Sequence, residues 1–257
     1  LSHNNKSTRY AANLQTSQTP DSVITQQEAL DSVVPRELLE DAITVPGIEI
    51  GMRATRMVMQ SLTLSLEDPQ AKLATDPNNF DPDHKMAFTG SDKWSDPSSD
   101  PIGDVELAKE IVRRASGIEP NRMVVPKPAF NALKFHPKIV ERFKYTTAES
   151  VTTKMIANLL DLETLAVGKS VALSSPDPDA PFEDVWGNSA VLAYVPDGPK
   201  GLEEPSFGYT YALKNHPFVE KPEWQGNNKS WVFGATYERM PVLVGATAGF
   251  LFQDVTG

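Results

Sequence analysis

Residues Trp94–Ile102 read W-S-D-P-S-S-D-P-I, and this stretch leads directly into the segment of the chain with the clearest helical signals. Asp100 is a residue type that caps helices, and Pro101 suits the first helical position. Gly117 can end a helix in the left-handed conformation. The spacing therefore predicts a helix between Asp100 and Gly117. The apolar residues on one face of this predicted helix are Ile102, Val105, Ala108, Ile111, Val112 and Ala115.

Downstream of this helix, the chain breaks into short elements separated by prolines and polar turns. Arg122–Val125 is a short apolar strand. Three short helices are predicted at Pro128–Phe135, Pro137–Phe143 and Val151–Leu160, the last one capped by Ser150. The later strand candidates are Leu165–Leu173 with a bend at Gly168, Ala190–Val195, Phe207–Leu213, Trp231–Arg239, and Pro241–Gln253 with a break near Gly245.

Upstream of Trp94, the pattern is mostly helical. Pro35–Ala42 opens with a proline and has acidic residues in its first turns. A longer helix is predicted from Ile48 to Leu66, and Asp68–Pro69 is expected to kink or restart it. Helices early and strands late indicate the α+β class. The apolar face of the long helix comprises Ile50, Ala54, Met57, Val58 and Leu62, and core positions are predicted for Met52, Met57, Met59 and Met86.

Composition narrows the function classes. The chain has 257 residues, 40% of them hydrophobic, which is enough for one large domain or two small ones with a real core. It has no cysteine, so it has neither disulfides nor thiolate chemistry. The apolar runs are too short to span a bilayer. Its net charge is −10 with no basic stripe, so tight nucleic-acid binding is not expected.

The histidines give no support for a metal centre. His3, His84, His136 and His216 lie far apart in the sequence, whereas histidine ligands usually sit about one helical turn apart. Asp81, Asp83 and His84 form the only acid–histidine cluster, and its setting F-D-P-D-H-K reads as an exposed turn. His136 and His216 each precede a proline and read as loop residues. We predict no metal site and no catalytic histidine.

Other chemical signatures are equally weak. Glu203–Glu204 and the pair Asp177 and Asp179 lie in proline-rich loops, and nothing selects two acids for hydrolysis. Gly168–Ser170 imitates the end of a phosphate loop but lacks the upstream glycine, so a strand fits better. No catalytic, cofactor-binding or metal-binding residue is predicted. Four tryptophans adjoin turns or strand starts, and roles in the core or in subunit contacts both stay open: Trp94, Trp186, Trp224 and Trp231.

The order of several segments resembles a known family. After W-S-D-P-S-S-D-P-I-G-D come A-S-G-I-E-P-N-R-M-V-V-P and F-N-A-L-K-F-H-P-K-I. Further on are L-L-D-L-E-T-L-A-V-G-K-S-V-A-L, V-W-G-N-S-A-V-L-A-Y-V-P and a terminal A-G-F-L-F-Q-D-V. This series resembles the major capsid proteins of tailed double-stranded DNA phages, in the lambda-type branch of the Hong-Kong-97 fold. The resemblance covers the chain from about Val33 to its end.

The resemblance implies a domain layout. Residues 1–29 would form an N-terminal arm and extended loop laid over neighbouring subunits. Residues 30–102 and 216–257 would form the peripheral domain, in which Ile48–Ala74 is the long spine helix. Residues 103–215 would form the axial domain, which meets its copies around the symmetry axes. Because residues 1–19 are polar, we expect the arm to be ordered by other subunits rather than by its own core.

The resemblance also implies a function without an active site. The protein would be a structural, non-enzymatic subunit that self-assembles into pentamers and hexamers of an icosahedral head. Scaffold, portal and decoration proteins would be its partners, and contact with packaged DNA would be weak and non-specific. It would be located in the virion after assembly in the host cytoplasm, with no membrane contact and no cofactor. The alternatives are a related shell, such as a nanocompartment or gene-transfer particle, and an acid-dependent hydrolase of unrecognised fold.

Overall fold

A computed structural model of the chain describes residues 23–43, 49–144, 151–175, 177, 179–198 and 206–257. The predicted Ser150 cap, the Glu203–Glu204 pair and most of the predicted arm lie outside these residues. The helices are α1 (Arg36–Ile43), α2 (Ile50–Thr75), α3 (Pro101–Ser116), α4 (Lys127–Phe135), α5 (Pro137–Phe143) and α6 (Thr153–Leu159).

Strands dominate the second half of the chain, as the sequence predicts. They are β1 (Gln26–Pro35), β2 (Lys85–Ala87), β3 (Arg122–Pro126), β4 (Thr164–Gly168), β5 (Val171–Leu173), β6 (Phe182–Asp184), β7 (Ala190–Ala193), β8 (Gly208–Ala212), β9 (Phe218–Val219), β10 (Glu223–Gln225), β11 (Ser230–Leu243) and β12 (Gly249–Gln253).

A mixed sheet in the order β2-β12-β7-β3-β4 forms the centre of the larger core. Its strands are short and apolar, and β7 is buried along its whole length, as expected for a strand covered on both faces. One face packs on α3, α4, α5 and α6 through the cluster that contains Met123, Val125 and Leu192. The other face carries Val191 and Leu251, which pack on Phe80 and Phe207. The sheet therefore supports α4 and α5, which pack on one of its faces.

The predicted helix between Asp100 and Gly117 is confirmed as α3. Val105, Ala108 and Val112 are buried, and Gly117 ends the helix with φ of 75°. The capping prediction for Asp100 is wrong in one respect, because its side chain makes no capping hydrogen bond. The Asp100 carboxylate instead lies 3.5 Å from Nζ of Lys138 in α5.

The long helix α2 lies across an antiparallel sheet in which β11 pairs with β1 on one edge and with β8, β9 and β10 on the other. Val58 and Leu62 of α2 pack on Ala235 of β11. The helix does not restart at Pro69, and one helix continues to Thr75. Buried contacts on both sides of Pro69, including Ala71, offset the roughly 3 kcal/mol cost of an interior proline.

Strand β1 corrects the predicted arm. Residues 26–29, which the sequence assigns to a segment ordered by neighbouring subunits, pair with Arg239–Thr236 of β11 in the same chain. Half of the residues in β1 are polar, and they do not alternate regularly with the apolar ones, so the sequence lacks the pattern that would mark a strand. The 14-residue partner β11 supplies the hydrogen bonds that local pattern does not predict.

Three further expectations need correction. The predicted strand Leu165–Leu173 is two strands, because β4 ends at Gly168 and β5 pairs with β6 in a separate two-stranded sheet. Helix α6 is capped by Thr152, whose hydroxyl accepts a hydrogen bond from the backbone N–H of Met155. Met52 and Met57 are exposed rather than in the core, because they lie on the face of α2 that turns away from β11.

Candidate functional site

The stretch Trp94–Pro101 is a structural junction. The Trp94 side chain is 1% exposed and packs against Phe88 and Phe252, with ring centroids 5.8 and 5.3 Å apart. Its backbone N–H donates to the carbonyl of Val255 at 2.8 Å, and its indole N–H donates to a carboxylate oxygen of Asp104 at 3.0 Å. Trp94 therefore connects Val255 to α3. Of the two roles left open by the sequence, Trp94 has the one in the core.

Asp104 carries a carboxyl group that this junction partly buries. Burial raises the pKa of the Asp104 carboxyl above its ordinary value, although the hydrogen bond from Trp94 acts in the opposite direction. Neighbouring Asp100 and Asp92 add to the increase. A perturbed carboxyl can mark a catalytic site. The surface pocket formed here includes Asp92, Asp100 and Asp104 but contains no histidine.

The described histidines serve the fold. His84 is buried, not exposed as predicted, and its Nδ1 lies 2.9 Å from the carbonyl of Gly249. His136 is also buried, and its Nε2 lies 3.2 Å from both the hydroxyl of Ser99 and the carbonyl of Asp96. His216 Nδ1 accepts a hydrogen bond from the backbone N–H of Glu238. Among the described residues, no group of three or more histidine, cysteine or acidic residues is placed to hold a metal ion.

Buried charges are the features that the sequence reasoning missed. Nζ of Lys109 donates to the carbonyl of Leu160 at 3.1 Å and lies 3.2 Å from Glu119. Its position four residues after Val105, on the buried face of α3, was a signal in the sequence. Arg239 is buried under α2, where it bonds Ser65 and the carbonyl of Leu62, and nothing local in its strand marks it.

One candidate contact surface is the β5–β6 hairpin, Val171–Asp184. Register pairs Leu173 with Phe182 and Val171 with Asp184, so these four side chains share one face. Phe182 is 70% exposed, and Val171 and Leu173 are exposed as well. The segment has four acidic residues and no Lys or Arg. It presents an apolar face on an acidic hairpin.

The base of this hairpin is fixed to the long helix. Oε1 of Glu67 in α2 accepts a hydrogen bond from the indole N–H of Trp186 at 2.8 Å, and Oε2 accepts one from the hydroxyl of Ser170. Ser170 therefore positions the hairpin instead of belonging to a phosphate loop. A Cβ at Gly168 would lie 2.4 Å from the Trp186 ring, so only glycine fits where β4 ends.

The other candidate contact surface is the helix pair α4–α5, Lys127–Lys144. Phe135, at the end of α4, is 74% exposed, and Val140 in α5 is also exposed. Five basic side chains and one acidic side chain give this segment a net charge of +4. A surface pocket of about 310 Å³ lies beside Phe135, with Pro97 and Pro137 in its wall.

Comparison with known proteins identifies similar sequences from phages. The profile of the family described as "Phage major capsid protein E" matches residues 68–169. The major capsid protein of Burkholderia phage BcepMu is 33% identical over 208 residues, which cover 79% of this chain and 66% of that relative. The chain thus spans 66% of that curated protein's length, and 57% of the length of a second curated relative.

Solved structures agree with the fold class. A phage-related protein from Bordetella bronchiseptica RB50 is 41% identical, with a TM-score of 0.83 over 97% of this chain and 82% of that one. The virus-like particle of Pyrococcus furiosus is 12% identical, with a TM-score of 0.54 over 89% of this chain and 77% of that one. The α+β, Hong-Kong-97-like fold predicted from the sequence is therefore confirmed.

Proposed function

Because this chain belongs to the phage major capsid protein family, we propose that it assembles with copies of itself into the icosahedral head that encloses double-stranded DNA. Its 33% identity to the BcepMu major capsid protein over 79% of the chain is the observation that carries the proposal. The subunit acts by making contacts, so its function resides in surfaces rather than in a catalytic constellation. A closed shell of identical chains needs surfaces that meet different surfaces around a ring.

The domain layout of the subunit follows from the same family. Residues 103–215 form an axial domain, and residues 30–102 with 216–257 form a peripheral domain that contains α2 as its spine. Residues 26–29, which this layout assigns to the arm, belong to β1. The pairing of β1 with β11, together with the packing of α2 on both strands, supports a single peripheral unit built from distant parts of the chain.

Partners follow from the role of a shell. Pentamers and hexamers of this chain are its main assemblies, and scaffold, portal and decoration proteins act on the same shell. Contact with packaged DNA is weak, because the chain has a net charge of −10 and a wall protein that gripped phosphates would need basic residues facing the interior. Assembly in the host cytoplasm precedes the final location in the virion. In the described part of the chain, no helix has the length and hydropathy to cross a membrane.

Assembly is the direct test of this function. The purified chain is concentrated at several ionic strengths, separated by size exclusion and viewed by negative-stain electron microscopy. We expect closed particles or rings of five and six subunits. The full-length major capsid protein of a relative, tested in parallel, is the control. If that control assembles while this chain stays monomeric under every condition, the proposal is contradicted. Submicromolar binding of duplex DNA by free subunits would contradict the expected weak DNA contact.

A further inference from the structure

The acidic β5–β6 hairpin and the basic α4–α5 pair form complementary surfaces within one chain. The hairpin segment Val171–Asp184 has a net charge of −4, and the helix segment Lys127–Lys144 has a net charge of +4. Each also exposes a large aromatic side chain, Phe182 on the hairpin and Phe135 on the helices. Opposite charge around exposed apolar residues is the pattern of two surfaces that can bind each other.

The two surfaces lie on different sides of the subunit. The hairpin is attached through Ser170 and Trp186 to Glu67 of α2. Helices α4 and α5 pack on the central sheet through the cluster that contains Met123 and Val125. The C-terminal end of α2 approaches the opposite face of that sheet, where Ala74 packs against the cluster of Val191. Surfaces that point apart on one chain can meet only between two chains.

We infer that the β5–β6 hairpin of one copy docks on the α4–α5 surface of the next copy, so that the contact repeats head to tail around a ring. The ring of Phe182 enters the pocket beside Phe135, and Asp179 and Asp184 face Lys134 and Lys144. A heterologous contact of this kind closes into a ring when the rotation between neighbouring subunits divides a full turn into a whole number of equal steps. This inference rests on the proposed function and identifies the surfaces that perform it.

In this interface the apolar side chains provide the affinity, and the charges determine which surfaces bind each other. An isolated two-stranded hairpin is marginally stable in water, so its apolar face gains most from being covered. Val171 and Leu173 extend that face beside Phe182. The charges at the rim fix which surfaces meet, because juxtaposed like charges oppose association while opposite charges steer it. The same charges keep two hairpins, or two helix pairs, from associating with each other.

Charge reversal tests the inference. One variant reverses two charges of the hairpin with Asp179→Lys and Asp184→Lys, which brings the net charge of this segment from −4 to 0. A second variant reverses two charges of the helix pair with Lys134→Glu and Lys144→Glu, which brings its net charge from +4 to 0. We expect each variant alone to yield at least about tenfold fewer particles than the wild type, because one surface loses its net charge and its substituted residues face side chains of like charge. An equimolar mixture should form six-membered rings, because the substituted residues of one variant then face those of the other with opposite charge when the two alternate around six positions. Five positions cannot alternate, so closed particles are not expected from the mixture.

The controls separate this inference from folding and from the proposed function. Lys214→Glu with Lys221→Glu reverses two exposed charges elsewhere and should assemble like the wild type. Circular dichroism should show that all variants are folded. Assembly by either reversed variant alone, or failure of the mixture to form six-membered rings while the wild type assembles, overturns the docking contact. A wild-type chain that never assembles overturns the proposed function and the docking contact with it.

Discussion

Two segments of nearly the same composition differ in burial: one lies in a buried junction and the other at the end of an exposed hairpin. S-D-P-S-S-D-P at residues 95–101 and S-S-P-D-P-D-A-P at residues 174–181 are both built from serine, aspartate and proline. The first is held between α3, α5 and the end of the chain, and its adjoining aromatic, Trp94, is buried. The second lies at the end of an exposed hairpin, and its adjoining aromatic, Phe182, faces solvent. Composition alone therefore does not separate a structural junction from a contact surface.

The hydrogen-bond partners of one serine in each segment explain the difference. The hydroxyl of Ser99 donates to the carbonyl of Asp96 and lies 3.2 Å from Nε2 of His136. In the hairpin, the backbone N–H of Ser174 donates to the carbonyl of Pro181, which closes the loop locally. One segment depends on distant parts of the chain for its conformation, whereas the other depends on its own two strands. Substitutions in the first should alter stability, and substitutions in the second should alter assembly.

The largest effect on stability is expected at Trp94. Trp94→Ala removes the side chain that packs on Phe88 and Phe252, and it should lower the free energy of unfolding by about 3–5 kcal/mol. Urea denaturation of the unassembled chain measures the difference. Trp224→Ala is the matched control, because this tryptophan is 40% exposed at a sheet edge and should cost much less. Equal losses at the two positions would mean that the junction is not a core.

Ser99→Ala should have the next largest effect. The substitution removes the hydroxyl beside the buried Nε2 of His136, which keeps the carbonyl of Asp96, and should cost about 0.5–1.5 kcal/mol. Ser174→Ala in the hairpin makes the same chemical change at an exposed position, and it should stay within about 0.5 kcal/mol of the wild type. Parallel thermal melts decide between the two expectations. A larger loss from Ser174→Ala would reverse the contrast between the two segments.

Asp104 should give a smaller effect that depends on pH. Burial raises its pKa, so the folded chain holds this proton more tightly than the unfolded chain does. Stability from this group is fully present below the ordinary value of 3.8 and is lost as pH rises through the folded pKa. Asp104→Asn keeps an acceptor for Trp94 and removes the ionisation. Its melting temperature should exceed that of the wild type near neutral pH and converge with it in acid, whereas a constant offset would exclude titration as the cause.

The smallest effect on stability is expected at Phe182. Phe182→Ser replaces a side chain that is 70% exposed, so the free energy of unfolding of the monomer should change by about 0.5 kcal/mol or less. The yield of particles should nevertheless fall, because the variant loses the apolar centre of its proposed contact. Unfolding and microscopy on the same preparation measure both quantities. A stability loss with normal particles would place Phe182 in the core of its own subunit.

Sequence reasoning worked where the physical signal is local. The start and end of α3 follow from Pro101 and Gly117, whose backbone preferences act within one turn. The two short helices after β3 were found for the same reason, since proline lies at their first turns. Local signals also predicted a strand at Leu165, but they could not show that Gly168 ends it against the ring of Trp186.

By itself, the sequence determined the α+β class, α3 and most strand positions, because period, capping and proline placement act over a few residues. Tertiary structure alone decided that β1 pairs with β11 over a separation of about 200 residues, and that α2 continues through Pro69. It also decided that Met57 faces solvent while Val58, the next residue, is buried. These outcomes depend on which distant surface covers an element, and the free energy of that packing exceeds the local preferences that a sequence pattern reports.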